Sequence, residues 1–308
     1  MSRNSTIAPA PPAETSGNIR NMGGWLRGLG LASLVANVGI VVTGGAVRLT
    51  KSGLGCPTWP QCTDDSYTTT PEMGVHGIIE FGNRLLTFVV IAIAIAALAA
   101  AVRERPRRRP LVVLGLVTLI GLPMQGVIGG ITVLTNLNPW VVGLHFLGSI
   151  FVITTAYLFY RRVVDSPVTT PPPALLRRLA WVITGVSLAV VVVGVIVTNA
   201  GPHSGDGGVK RNHLDPELIT QLHVDLVMLL IGLSIAYWFA ARLTGAPTRP
   251  ALILIAVELS QSLIGFVQHF THLPIVLVGL HMLGACLVWI ATLHVFLHAT
   301  RGAGQIKG

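Results

Sequence analysis

Three histidines in apolar surroundings are the residues of this chain best suited to chemistry. Met124–Tyr160 contains the strings M-Q-G-V-I-G-G and N-P-W-V-V-G-L-H-F-L-G, and the segment from Ser260 repeats them as S-Q-S-L-I-G-F and L-P-I-V-L-V-G-L-H-M-L-G. One gapless shift of 136 residues carries Gln125 to Gln261, Gly129 to Gly265, His145 to His281 and Gly148 to Gly284. A histidine in a lipid-embedded helix is costly unless paired or coordinated, so two in register suggest two equivalent ligand sites. His223 lies on another apolar run at a depth matching His281. Two neutral imidazoles facing each other across a four-helix bundle suit a flat macrocycle with iron between them. The bland reading of a lone histidine near a helix end is an interfacial polar residue; the duplicated register and the His223 partner argue against it here.

The elements that carry these histidines are membrane helices. Only 11% of the 308 residues are charged and 52% are hydrophobic, which excludes an ordinary soluble core and points to a multi-pass membrane protein. Apolar runs of about 20 residues or more, long enough to cross a bilayer, fall near 25–47, 75–102, 110–134, 139–160, 178–199, 218–241, 250–270 and 273–298. Backbone groups in lipid must bond internally, so these are helices. The expected fold class is an all-α polytopic membrane protein with eight transmembrane helices in two pseudo-symmetric four-helix bundles. The expected division is a disordered cytoplasmic tail over 1–24, a first bundle over 25–165, a linker over 166–176, a second bundle over 177–300 and a tail over 301–308. Each half has a long loop after its first helix, and G-I-V-V-T-G-G at Gly39–Gly45 resembles G-V-I-V-T-N-A at Gly194–Ala200. Four helices per half is an even number, so the halves should be related by an axis along the membrane normal.

Charge sets the orientation. Arg3, Arg20 and Arg27, the arginine cluster at 103–109, the pairs Arg161–Arg162 and Arg177–Arg178, and Arg242, Arg249, Arg301 and Lys307 all fall on one side. Arg48, Lys51, Lys210 and Arg211 fall on the other. This asymmetry puts both termini in the cytoplasm, and it accounts for the net charge of +9 without nucleic-acid binding. His145, His223 and His281 then lie within roughly 10 Å of the outer surface, at 1.5 Å of rise per residue.

Three acids lie within the spans: Glu80, Asp225 and Glu258. Carboxylates inside a membrane are functional candidates by default. Glu80 has Arg84 one turn on, so an intrahelical ion pair is the structural reading; an ionised carboxylate there could also stabilise a developing cation or move protons. Asp225 suits packing or hydrogen bonding, and Glu258 suits pairing with polar groups on neighbouring helices. Cys56 and Cys62 lie in the first outer loop, S-G-L-G-C-P-T-W-P-Q-C, where a disulfide clip, a redox couple and a zinc site are the alternatives; the clip is favoured in an oxidising compartment. Cys286, inside the last helix, is a packing residue. His269 and His272 flank a tight turn, His294 and His298 are interfacial, and His203 and His213 are solvated. H-E-x-x-H, a Walker loop and a strand-linked glycine motif are absent from the sequence.

Taken together, T-G-G-A-V-R-L-T-K-S-G-L-G-C-P-T-W-P-Q-C, I-I-E-F-G-N-R-L, G-L-H and T-N-A-G-P-H-S-G-D resemble the heme A synthase family, bacterial type, shared with mitochondrial cytochrome oxidase assembly homologues. The resemblance runs from about Asn21 to Leu297. It implies a membrane-bound oxidoreductase that oxidises the C8 methyl of heme O to a formyl group, giving heme A for cytochrome c oxidase. It also implies a heme b in the second bundle on His223 and His281, a substrate heme O in the first bundle with His145 on its iron and Glu80 as the catalytic carboxylate, and Cys56 and Cys62 as the loop pair. Heme O would enter laterally from the membrane, and electrons would leave through the second heme. Heme O and heme A, membrane lipid, heme O synthase and oxidase assembly factors are the implied partners, and the bacterial plasma membrane the implied location. Two departures stand out. The family commonly has a histidine where this chain has Asn83, the position that aligns with His223; His76, seven residues earlier, could replace it only if the macrocycle shifts outward. A second cysteine pair common in relatives is missing from 200–217. The alternatives are a diheme b-type electron-transfer protein and a heme carrier.

Overall fold

The computed structural model describes residues 14–104, 108–165, 172–203 and 205–300, with side chains placed from Gly24 onward. All regular structure among them is helical: α1 (Glu14–Leu49), a short 3-10 turn (Pro71–Met73), α2 (Gly74–Arg103), α3 (Arg109–Leu134), α4 (Pro139–Val164), α5 (Ala174–Ala200), α6 (Pro216–Leu243), α7 (Arg249–Phe270) and α8 (Ile275–Thr300). Eight of these are long and apolar enough to cross a membrane. Each apolar run in the sequence therefore becomes one helix, with ends displaced by a few residues.

The expected tail over 1–24 is corrected in part. Residues 1–13 lie outside the described residues, but the chain is already helical from Glu14. Nothing in the sequence stops that helix from forming: there is no proline between Pro12 and Pro57, so a polar extension can continue the apolar span that begins at Gly24. At the expected linker over 166–176, α5 begins at Ala174, and residues 166–171 lie outside the described residues, as do 301–308.

Helix starts follow local chemistry. Proline occupies the first turn of α3, α4, α6 and α7, where its missing N–H costs nothing. The Asn138 side chain accepts from the Trp140 amide, and Asp215 accepts from Glu217 and Leu218. The internal repeat is visible in the α3–α4 and α7–α8 turns. Asn136 and Leu137 have φ of 51° and 55°, and their counterparts His272 and Leu273 have 62° and 59°. The Leu137 amide donates to Thr132 at 2.7 Å, and the Leu273 amide donates to Gln268 at 2.8 Å.

In the first half α1 packs on α2, α2 on α3, α3 on α4, and α4 back on α1; the second half repeats this order with α5 to α8. The halves meet through α1, α4, α5 and α8. That seam is a core of Leu34, Val41, Ile150, Ile153, Val191, Cys286, Trp289 and Leu293. The Trp289 indole N–H donates across it to Thr154 at 2.7 Å. Large apolar side chains such as Phe88, Trp181, Phe239, Leu263 and Phe270 are exposed on the outer faces, as lipid-facing surfaces require. Both long loops lie at the same end of the molecule, where the Gly53 amide donates to the Gly205 carbonyl at 3.1 Å.

Candidate functional site

His223 and His281 face each other in the second half. Their ring centroids are 6.5 Å apart with planes inclined by 72°. The helices bring the rings this close because glycines on the neighbouring helices leave room. A Cβ on Gly194 of α5 would stand 3.0 Å from the His223 ring, and one on Gly265 of α7 would stand 3.5 Å from the His281 ring. His145 is seated in the same way in the first half, 3.3 Å from where a Gly129 Cβ would be. Nδ1 of all three rings is buried and makes no hydrogen bond among the described residues. A buried ring nitrogen without a partner is uncommon and calls for a ligand.

A tetrapyrrole iron fits the second pair. Metal–imidazole bonds are about 2 Å long, so two rings on opposite sides of one ion have centroids roughly 6 Å apart. The observed separation, the orphaned ring nitrogens and the glycine cradles agree with that requirement. Groups of three or more His, Cys, Asp or Glu side chains able to enclose a bare metal ion are absent among the described residues.

The first half differs at the fourth corner. Asn83 occupies the position corresponding to His223, and its Oδ1 accepts from Thr43 of α1 at 2.7 Å. Gly39, corresponding to Gly194, has nothing within 4 Å of a built Cβ. The space that seats an imidazole in the second half is thus open in the first. His76 does not fill it: its Nδ1 is bonded to the Ser52 hydroxyl at 2.9 Å, in the loop region.

Glu80 is buried and anchors the first long loop. Its Oε1 meets Arg84 Nη2 at 2.6 Å, and its Oε2 accepts from the Cys56 amide at 2.7 Å. Arg84 also donates to the carbonyls of Cys56, Thr58 and Gln61 at 3.0, 3.1 and 3.2 Å. The intrahelical ion pair is therefore present, and it is part of a larger network. Within the anchored loop Cys56 and Cys62 form a disulfide, with both residues fully buried. Trp59 lies in the closed loop and rests on Gly130 of α3, where a Cβ would collide with its indole. Gly130 adjoins Gly129, which seats His145, so the clipped loop packs on α3 next to the residue that seats that histidine. Sequence reasoning missed Trp59 and the loop contacts of Arg84. The adjacent glycines at 129 and 130 were the available signal.

The remaining acids bond to polar side chains nearby, though Glu258 Oε2 is buried and makes no hydrogen bond among the described residues. Asp225 accepts from Gln221 one turn away at 2.8 Å. Glu258 accepts from Ser234 of α6 at 2.9 Å, inside the second bundle. His294 meets both Tyr157 and Arg161 across the seam, at 3.0 and 2.5 Å. Cys286 is a free thiol buried in the same seam.

Residues 27–202, more than half of the chain, match the family described as cytochrome oxidase assembly protein. The chain belongs to that family. Several members have been given a name for their activity. The heme A synthase of Azorhizobium caulinodans is 28% identical over 85% of this chain and 89% of its own length. That of Methylobacterium radiotolerans is 28% identical over 90% of both. That of Geobacillus kaustophilus reaches 33% identity over a shorter stretch, 42% of this chain and 41% of its own. The family match spans the clipped loop, Glu80, Arg84 and His145, and ends just after α5; the longer pairwise matches carry the similarity into the second half.

Proposed function

We propose that this chain is a heme A synthase: a membrane oxidoreductase that converts the C8 methyl of heme O to a formyl group during cytochrome c oxidase biogenesis. The observation that carries the reading is similarity along nearly the whole chain to relatives named for that activity. The seated imidazoles support it, because they provide sites of the right chemistry in both halves.

The first bundle, 25–165, is the substrate bundle in this reading. His145 holds the iron of heme O and fixes the macrocycle beside α3. Conversion of the methyl to the formyl group takes four electrons from that carbon, which pass to an acceptor outside this chain, and adds one oxygen atom. Glu80 is the carboxylate closest in role to that chemistry, stabilising positive charge or accepting a proton as C–H bonds are lost. The loop clipped by Cys56–Cys62 keeps water from the reacting edge, with Trp59 as its inner face. His223 and His281 hold a heme b in the second bundle, 177–300; when bound, it supplies one-electron redox chemistry. Arginine bias supports cytoplasmic termini, and in this reading the chain lies in a bacterial plasma membrane, near heme O synthase and oxidase assembly factors.

The test is heme extraction from membranes that contain this chain together with a heme O synthase. Heme A is the expected product. Heme O alone, with the chain folded and present, would reject the enzyme and leave an electron-transfer protein or heme carrier.

A further inference from the structure

Two arginines at the loop-bearing end have no acidic partner among the described residues. The ion pairs among the described residues join Arg84 to Glu80, Arg108 to Glu104 and Arg161 to Asp165. Arg48, in the last turn of α1, instead donates Nε to the His203 carbonyl at 2.6 Å and Nη2 to the Thr198 carbonyl at 3.0 Å. Arg211 donates Nη2 to the Pro202 carbonyl at 2.9 Å, while its Nη1 is buried and makes no hydrogen bond. The two guanidinium groups thus donate to the carbonyls of adjacent residues, His203 and Pro202, which brings their positive charges together. Two like charges held together, one with an enclosed unused donor, are stabilised when an anion joins them.

Their position indicates which anion. Thr198 lies one helical turn beyond Gly194, the residue that seats the His223 ring. Arg48 comes from the first half, three residues beyond Gly45, whose Cβ would touch Met282 beside His281. His203 Nε2 donates to the Leu273 carbonyl at 2.9 Å, which draws the second loop over the outer end of α8. Both guanidinium groups thus border the outer rim of the His223–His281 pair. Guanidinium groups match carboxylates through paired N–H donors, and a protoporphyrin-type tetrapyrrole carries two carboxylates on one edge.

We propose that Arg48 and Arg211 bind the carboxylate edge of the tetrapyrrole held between His223 and His281, so that the first half of the chain supplies a ligand to the site of the second. This rests on the reading of that pair as a heme site. It fixes the orientation of the macrocycle, with its acidic edge toward the loop-bearing end and the seam.

The test compares iron protoporphyrin IX with its dimethyl ester, titrated into the full chain purified from heme-limited cells and followed by low-spin absorbance. The wild-type chain should bind the ester at least about tenfold more weakly, the scale of one lost charge-assisted hydrogen bond. Arg48→Gln and Arg211→Gln should each weaken the diacid by about tenfold, and the double variant should bind both forms alike. Arg48→Lys, which keeps the charge, should retain most of the preference. Equal binding of diacid and ester by the wild type overturns the proposal while the heme site stands. Glutamine variants that weaken both forms equally also overturn it, and reduce Arg48 to a loop staple. Loss of co-purified anionic phospholipid in those variants, with ester discrimination unchanged, would assign the pair to a lipid headgroup instead. If the wild-type chain binds neither form, the heme site itself is rejected and the proposal with it.

Discussion

The Glu80 carboxylate and the Arg84 guanidinium meet at 2.6 Å within α2, and together they grip the backbone of the first long loop at Cys56, Thr58 and Gln61. One ion pair therefore ties α2 to the first long loop. Removing either partner strands the other with its charge partly buried, which is the expensive way to break such a pair.

Glu80→Gln keeps the shape and can still accept from the Cys56 amide, but it removes the charge. The stranded Arg84 should lower the yield, but in the folded variant heme O should bind at near-normal stoichiometry while its conversion falls by on the order of 100-fold. Heme O and heme A are measured per mole of purified variant. Near-normal heme A with reduced protein yield would leave Glu80 as a loop anchor only.

Arg84→Gln makes the complementary case. It loses the ion pair and several bonds to loop carbonyls, so it should destabilise the first half by about 3 kcal/mol, within the range for breaking a buried pair. Limited proteolysis should then cut between residues 50 and 70 faster than in the wild type. An unchanged cleavage rate there would show that the disulfide alone holds the loop.

The Cys56–Cys62 clip closes a short loop, worth about 2 kcal/mol by chain entropy. Cys56→Ser and Cys62→Ser should each lower the thermal midpoint and the yield of heme A. The low-spin heme spectrum should survive, because the His223 and His281 rings are seated by Gly194 and Gly265 of the second half. Loss of that spectrum in a cysteine variant would mean that the first loop supports the second site.

His223→Ala or His281→Ala should abolish the low-spin signal, and Gly194→Val should weaken it by filling the space that seats His223. His145→Ala should leave it intact. Retention of the low-spin spectrum in both His223 and His281 variants would reject the ligand pair.

Much of this arrangement was legible in the sequence because α7 and α8 repeat α3 and α4 without a gap. The 136-residue register that aligns His145 with His281 also aligns the left-handed turn residues Asn136–Leu137 with His272–Leu273. Helix positions were legible because lipid demands long apolar runs. The contacts of Arg48 were not: its carbonyl partners lie about 150 residues away in the other half, and no periodicity encodes a backbone acceptor. One unsatisfied atom becomes intelligible only through the repeat. Gln125 accepts from Ser149, but the residue corresponding to Ser149 is Ala285, and the Gln261 oxygen is left without a partner.

The same comparison gives the sharpest prediction for the first bundle. Asn83 stands where His223 stands in the second half, and Gly39 offers the room that Gly194 offers there. With Asn83 bonded to Thr43, an iron held by His145 in the proposed substrate site would find no imidazole from α2 on its other side. Reduced protein loaded with heme O should therefore bind carbon monoxide at the first site. Asn83→His should place a ring over Gly39, convert that iron to a low-spin bis-imidazole form, and suppress carbon monoxide binding by tenfold or more, on the order expected when a strong axial ligand must be displaced. Absorbance spectra of the heme O-loaded protein before and after carbon monoxide report this directly. A wild-type first site that is already low-spin and closed to carbon monoxide would mean that a residue other than Asn83 completes the ligand set, and His76 would have to leave Ser52 to provide it.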